Sequence, residues 1–322
     1  MPARQAADFV LIYSRVFAMT STFRTDADLT LPPLAHARGC GCPLHARRRA
    51  GLALAGGTLL PASVLAQEGV RTQVGRESRF AKLVPADQLE NSAVQQFAQM
   101  KLEASNKRAL APDEHPQVQR LRSIAQRIIP YTMSWNPRAA KWAWEVQLFG
   151  STELNAFCMP GGKIAFYYGI LQRLQLSDDE VAMIMGHEMA HALREHARER
   201  MGKANVTRVG TSLVSSILGL GSLGDAALNM GAQLLTLKFS REDESEADLV
   251  GLELAARAGY DPSAGVTLWE KMMKANAGAP PEFLSTHPAS ATRIADIRAT
   301  LPKVDPLFRR AEKPTQRYQP PA

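Results

Sequence analysis

Cysteine is nearly missing from this 322-residue chain: there are three, and Cys40 and Cys42 both fall within the first 66 residues. Without that segment Cys158 stands alone, no internal disulfide can form, and an apolar core has to hold the fold. Aromatic residues are few, at 7%. A long unbroken apolar run is missing as well. Residues 50–66 are short and contain Pro61, while residues 206–239 are interrupted by Asp225 and by glycines at 210, 219, 221, 224 and 231, so neither reads as a membrane-spanning helix. The net charge is +7, but residues 1–66 hold seven Arg against three Asp, which leaves +3 on the remainder. The basic balance therefore belongs mainly to the N-terminal piece, and nucleic-acid binding loses its main support.

That piece has its own pattern. Arg47-Arg48-Arg49 precede an uncharged run that closes on Val64-Leu65-Ala66, the arrangement of a signal peptide with a small-residue exit. Residues 1–66 are expected to be a leader cleaved near Ala66, which delivers a periplasmic protein. The stretch ahead of the run is too long for an ordinary n-region, and Met19 is an alternative start. Beyond it we expect a flexible arm over 67–84, one domain over 85–300, and a disordered Pro- and Arg-containing tail over 301–322.

The chain is organised around residues 177–201, which read as one helix. Ser177 and Glu180 form a capping box, Leu176 and Val181 a hydrophobic staple, and apolar Val181, Ile184, Met185, Met189 and Leu193 recur at helical spacing. Inside it stands His187-Glu188-Met189-Ala190-His191. An i,i+4 pair puts both imidazoles on one face, where a single metal ion can take both, and Glu188 lies close enough to polarise a water without ligating. Chance supplies on the order of 0.01 such matches in a chain of this length.

Helices are expected over 85–110 and, with Pro116 at its first position, over 116–130. Residues 142–149 alternate as a strand, and 154–159 and 163–168 flank the turn Pro160-Gly161-Gly162. This hairpin ahead of the metal helix predicts a small antiparallel sheet with an edge facing the cleft, where an extended peptide can add by backbone hydrogen bonding. Residues 206–239 read as a buried helical hairpin, with peripheral membrane contact as the competing reading. Residues 240–248, Ser-Arg-Glu-Asp-Glu-Ser-Glu-Ala-Asp, open another helix on which Glu244 and Asp248 share a face.

A catalytic zinc needs at least one more protein ligand and an open position. A third histidine of the metzincin type would stand at Ala197, so that option fails. His196 lies one residue off and points elsewhere on a continuous helix, and Glu195 lies a turn too far away. The four blocks together, His187–His191, residues 240–248, Asn155-Ala156-Phe157 with Pro160-Gly161-Gly162, and Thr286-His287-Pro288 with Arg293, resemble the zinc metallopeptidases related to CaaX prenyl proteases and HtpX-type proteases, peptidase family forty-eight. The resemblance covers roughly residues 85–300.

It implies an α+β, zincin-like fold of the gluzincin kind, mostly helical with the small sheet beside the HExxH helix, and one Zn2+ per chain. His187, His191 and Glu244 would be the ligands, and Asp248 would orient a ligating imidazole, His187 for preference. Glu188 would take a proton from the attacking water and pass it to the leaving amine. His287, supported by Arg293, is the candidate oxyanion donor; alternatively His287 fills the open zinc position at rest. Asn155 and Ala156 are the candidate substrate-binding residues. The implied activity is an endopeptidase acting on misfolded or misassembled envelope proteins. A non-catalytic zinc-stabilised chaperone or adaptor, and a membrane-associated protease, are the alternatives.

Overall fold

A computed structural model describes residues 69–212, 234–235, 237–275, 282–288 and 290–321. The expected leader and most of the 206–239 hairpin lie outside the described residues. The elements are α1 (Ala86–Asn106), α2 (Pro116–Ile128), β1 (Glu145–Phe149), β2 (Ala156–Met159), β3 (Lys163–Tyr167), α3 (Tyr168–Arg173), α4 (Asp178–Leu193), α5 (His196–Ser212), α6 (Arg241–Arg257), α7 (Ala264–Ala275), α8 (Glu282–Thr286) and α9 (Ala291–Arg310). Among the described residues, no helix is long and apolar enough to cross a membrane.

Helix α4 is the centre of the core. Every residue of it except Asp179 is buried, and it packs against α2, β2, α6 and α7. Its start is built as the sequence dictates. Ser177 Oγ accepts from Glu180 N at 3.3 Å, Glu180 Oε2 accepts from Ser177 N at 2.8 Å, and Leu176 and Val181 are fully buried beside them. The closest packing is with α6, where Gly186 faces Gly251. A Cβ on Gly186 would stand 2.7 Å from Gly251 O, and one on Gly251 2.7 Å from His187 N. Only glycine at both positions lets the backbones approach this far.

The end of α4 departs from the expected continuous helix. Arg194 is the C-cap, Glu195 takes φ +59°, and α5 begins afresh at His196. The chain turns at a left-handed residue that carries no glycine signature, so no break was visible in the composition.

The sheet also differs in one respect. β2 and β3 form the expected hairpin, with Phe157 opposite Ala165, but β1 runs parallel to β3 and the order is β1-β3-β2. Residues 163–166 of β3 are all buried while β1 alternates. Near-continuous burial belongs to a central strand, and that places β3 between the other two and leaves β2 as an edge against α4.

Neither end of the domain is loose. In the arm, Val70 is fully buried and its N–H donates to Glu253 Oε2 at 2.8 Å. Glu253 is itself fully buried, and a carboxylate held there requires such donors. The tail correction is larger. Helix α9 runs to Arg310 through Pro302 and Pro306. An interior proline costs about 3 kcal/mol, and the buried side chains of Val304 and Leu307 offset this at roughly 1.5–3 kcal/mol each. Residues 311–321 then lie along the start of α4: Tyr318 N donates to Asp178 Oδ2 at 2.8 Å, Arg317 pairs with Asp179 at 2.9 Å, and Gln175 donates to Pro321 O at 2.9 Å.

Candidate metal centre

Four donors converge where α4, α6 and the α8–α9 corner meet. His187 Nε2 lies 3.1 Å from His191 Nε2 and 3.3 Å from His287 Nδ1. Glu244 Oε1 lies 2.9 Å from His287 Nδ1 and 3.5 Å from His191 Nε2, and Glu244 Oε2 is 3.5 Å from His187 Nε2. All four residues are buried, and one donor atom from each falls within 4.8 Å of all the others. A tetrahedral zinc with bonds of about 2.0–2.1 Å holds its ligand atoms about 3.3 Å apart, and this cluster has that spacing. Of the buried oxygens here, Glu188 Oε1 accepts no hydrogen bond, while Glu244 Oε2 meets the charge of Arg293 Nη1 at 2.7 Å. A buried acceptor is rarely left as Glu188 Oε1 is, and the four convergent donors beside it suit a cation.

Local folding explains the convergence. The i,i+4 spacing on α4 presents both imidazoles, as expected. Helix α6 starts at Ser240, whose Oγ accepts from Asp243 N while Asp243 Oδ2 accepts from Ser240 N. This cap sets the start of α6, and the Gly186–Gly251 contact brings its Glu244/Asp248 face onto α4. His287 follows α8, with its N–H donating to Phe283 O at 2.8 Å and its ring stacked on Phe283 at 4.6 Å.

Asp248 takes the expected position. Its Oδ1 lies 3.0 Å from His187 Nδ1, and Arg293 grips it with Nε to Oδ2 at 2.8 Å and Nη2 to Oδ1 at 2.7 Å. Arg293 also places Nη1 2.7 Å from Glu244 Oε2 and lies over the Trp269 ring at 3.8 Å. It therefore holds two carboxylates, rather than standing behind His287 as an oxyanion donor's support. Glu188 Oε1 is 3.6 Å from His287 Nε2. Asn155 and Ala156 open the β2 edge, where Asn155 Oδ1 accepts from Ala156 N at 2.9 Å, so that N–H is already engaged.

The charge states follow from this packing. Burial alone would lower the His187 pKa, but hydrogen bonds to Asp248 and Glu244 outweigh it and lift the metal-free value to about 9. Burial would raise Glu244 and Asp248; His287 and His187 hold the first, and Arg293 and His187 the second, below the usual carboxylate range. His191 is pushed well down by burial. Glu188 is pushed up, again chiefly by burial, which is the direction a general base at neutral pH requires.

Three residues here were not anticipated. Phe239 stacks on the His191 ring at 4.0 Å and 26°, and Trp269 sits beneath Arg293. His196, excluded as pointing elsewhere, lies against His191, because the Glu195 turn redirects it. Glu195 stays out of the cluster and pairs with Arg198. For Phe239 and Trp269 the sequence held no signal beyond being apolar and aromatic.

A His-Glu-x-x-His helix crossed by a helix that adds a glutamate defines a zinc metallopeptidase domain of the gluzincin kind. The chain belongs to peptidase family M48, whose sequence profile matches residues 115–301, more than half of its length. It is 39% identical over 151 residues to mitochondrial metalloendopeptidase OMA1 of Arabidopsis thaliana, covering 47% of this chain and 30% of that protein. It is 31% identical over 200 residues to metalloprotease LoiP of Escherichia coli, covering 61% and 75%. It is 30% identical over 200 residues to the beta-barrel assembly-enhancing protease of Escherichia coli, covering 59% and 40%. The chain spans less than two thirds of the length of the mitochondrial relatives it matches.

Proposed function

We propose that this protein is a zinc-dependent endopeptidase that hydrolyses peptide bonds of misfolded or misassembled proteins in the cell envelope. The observation that carries the reading is the buried four-donor cluster with Glu188 beside it, its carboxylate oxygen unengaged. When bound, zinc supplies acidification of a water and polarisation of the scissile carbonyl.

The chain's own residues supply the rest. Glu188 takes the proton of the attacking water and delivers it to the leaving amine. Asp248, gripped by Arg293, keeps the His187 proton on Nδ1 so that Nε2 is free to ligate. The β2 edge beside α4 receives an extended segment, with Asn155 and Ala156 at its opening, and this favours substrate that offers an extended backbone with unpaired N–H and C=O groups, as unfolded chains do. His287, with Nδ1 inside the cluster, would help hold the metal in this reading, and its ring would occupy the space that a substrate carbonyl needs. His287→Ala should accordingly raise basal proteolysis; loss of activity instead would return it to the oxyanion-donor role. The periplasmic assignment is supported by the leader pattern of residues 47–66 and by the name of the beta-barrel assembly-enhancing relative.

A non-catalytic chaperone is the competing class, and an intact Glu188 disfavours it. Purified protein should cut an unfolded substrate such as casein and spare the folded form of a stable protein, and chelator should stop the cutting. Suppression of aggregation without any cleavage, equal in wild type and Glu188→Gln, would place the protein with the chaperones.

A further inference from the structure

The two ligand histidines on α4 are held from behind by different means. His187 has Asp248. The corresponding nitrogen of His191, Nδ1, lies 2.9 Å from Nδ1 of His196, and His196 Nε2 lies 3.2 Å from Glu246 Oε2. Glu246 Oε1 in turn accepts from Arg194 Nε at 2.8 Å. His196 is 1% exposed, so its ring has no water to turn towards.

Proton bookkeeping makes this chain directional. His191 faces the cluster with Nε2 and must carry its proton on Nδ1 when it ligates. His196 Nδ1 must then be the bare, accepting nitrogen, which puts the His196 proton on Nε2, where Glu246 accepts it. Arg194 fixes the far carboxylate. With both rings neutral, one arrangement satisfies every atom in the series, and it is the one in which His191 is ready to bind a metal.

Backbone geometry serves the same end. On a continuous helix, a residue five positions after His191 would point well away from it. The left-handed Glu195, φ +59°, ends α4 and brings His196 back over His191. A non-glycine residue in that conformation is uncommon and is held here in part by its ion pair with Arg198.

We infer that His196, relayed through Glu246 and Arg194, is the positioning residue that sets the tautomer and ring orientation of His191 for the metal. This rests on the zinc-peptidase reading above. It assigns His191 a two-link support where His187 has a direct carboxylate, and it gives the Arg194–Glu195 turn a role in the metal centre.

The test is zinc affinity of the full chain by competition with a chromophoric chelator, together with the visible spectrum of the cobalt(II)-substituted protein. His196→Ala should bind zinc about 10–100-fold more weakly and shift the cobalt spectrum. His196→Asn, whose Oδ1 can accept near the position of the lost nitrogen, should recover most of the affinity, a rescue that a merely space-filling role would not give. Glu246→Gln should weaken binding in the same direction by a smaller factor. Because Glu246 is only partly buried, it decides the matter if His196→Ala does not fold. Wild-type zinc binding with both variants unchanged in affinity and spectrum overturns the inference alone. A wild-type chain that takes up no zinc overturns the peptidase reading and this inference with it.

Discussion

At the start of α4 a buried ion pair is closed on every side. Asp178 accepts from Arg120 Nε at 2.6 Å, and the other Arg120 nitrogens donate to Leu176 O and Gln117 Oε1. The second Asp178 oxygen accepts from Tyr318 in the C-terminal segment. Further along the same helix Glu188 is buried as deeply, yet its Oε1 has no hydrogen bond, and Glu244, facing it from α6, has Oε2 against Arg293 and turns Oε1 to the histidine cluster. Desolvating a carboxylate is costly in both places. At one end the fold meets the cost with its own donors, and at the other it leaves capacity open. The difference separates what holds the helix from what the helix does. Substitutions at the first end should therefore be read out as stability, and at the second as metal binding and turnover.

The largest effect at the closed end is expected from Arg120→Met, which leaves Asp178 buried without its charge partner. We expect a loss of about 3–5 kcal/mol in urea unfolding, with turnover per folded molecule unchanged. A smaller loss would mean that the C-terminal segment can neutralise Asp178 by itself.

The open end should behave differently with pH. In the metal-free protein His187 titrates near 9, against about 6.5 when unfolded. Its contribution is fully present below about 6.5 and is lost as pH rises through about 9, an effect on the order of 3 kcal/mol. Thermal melts of chelated protein should therefore fall across this window. Zinc-loaded protein, whose His187 has no proton to lose from Nε2, should not show the same fall. Parallel curves for the two forms would remove His187 from the metal site. The smallest effect is Ser177→Ala, which deletes half of the capping box and should cost about 1 kcal/mol without altering zinc content.

Much of the open end was legible in the sequence because its parts follow helical arithmetic. His187 and His191 are four apart, as are Glu244 and Asp248, and both helices announce their starts with a capping serine. What stayed illegible depends on long-range packing or on one dihedral angle. The His196 contact exists because Glu195 adopts a left-handed backbone without a glycine to signal it. The closing segment was hidden because Pro302 and Pro306 read as helix breakers, while Ile294, Ile297, Val304 and Leu307 keep the helical stripe and bury it. The parallel pairing of β1 with β3 depends on which strand is buried on both faces, which alternation within β1 alone does not reveal.

The most direct test of the central claim is to determine zinc per chain and casein cleavage on the same preparations of wild type and Glu188→Gln. The account predicts one zinc in both and cleavage only in the wild type, with the variant slower by about 10²–10⁴-fold and no less stable than wild type. Zinc-free wild type, or a Glu188→Gln protein that cleaves at the wild-type rate, would contradict it.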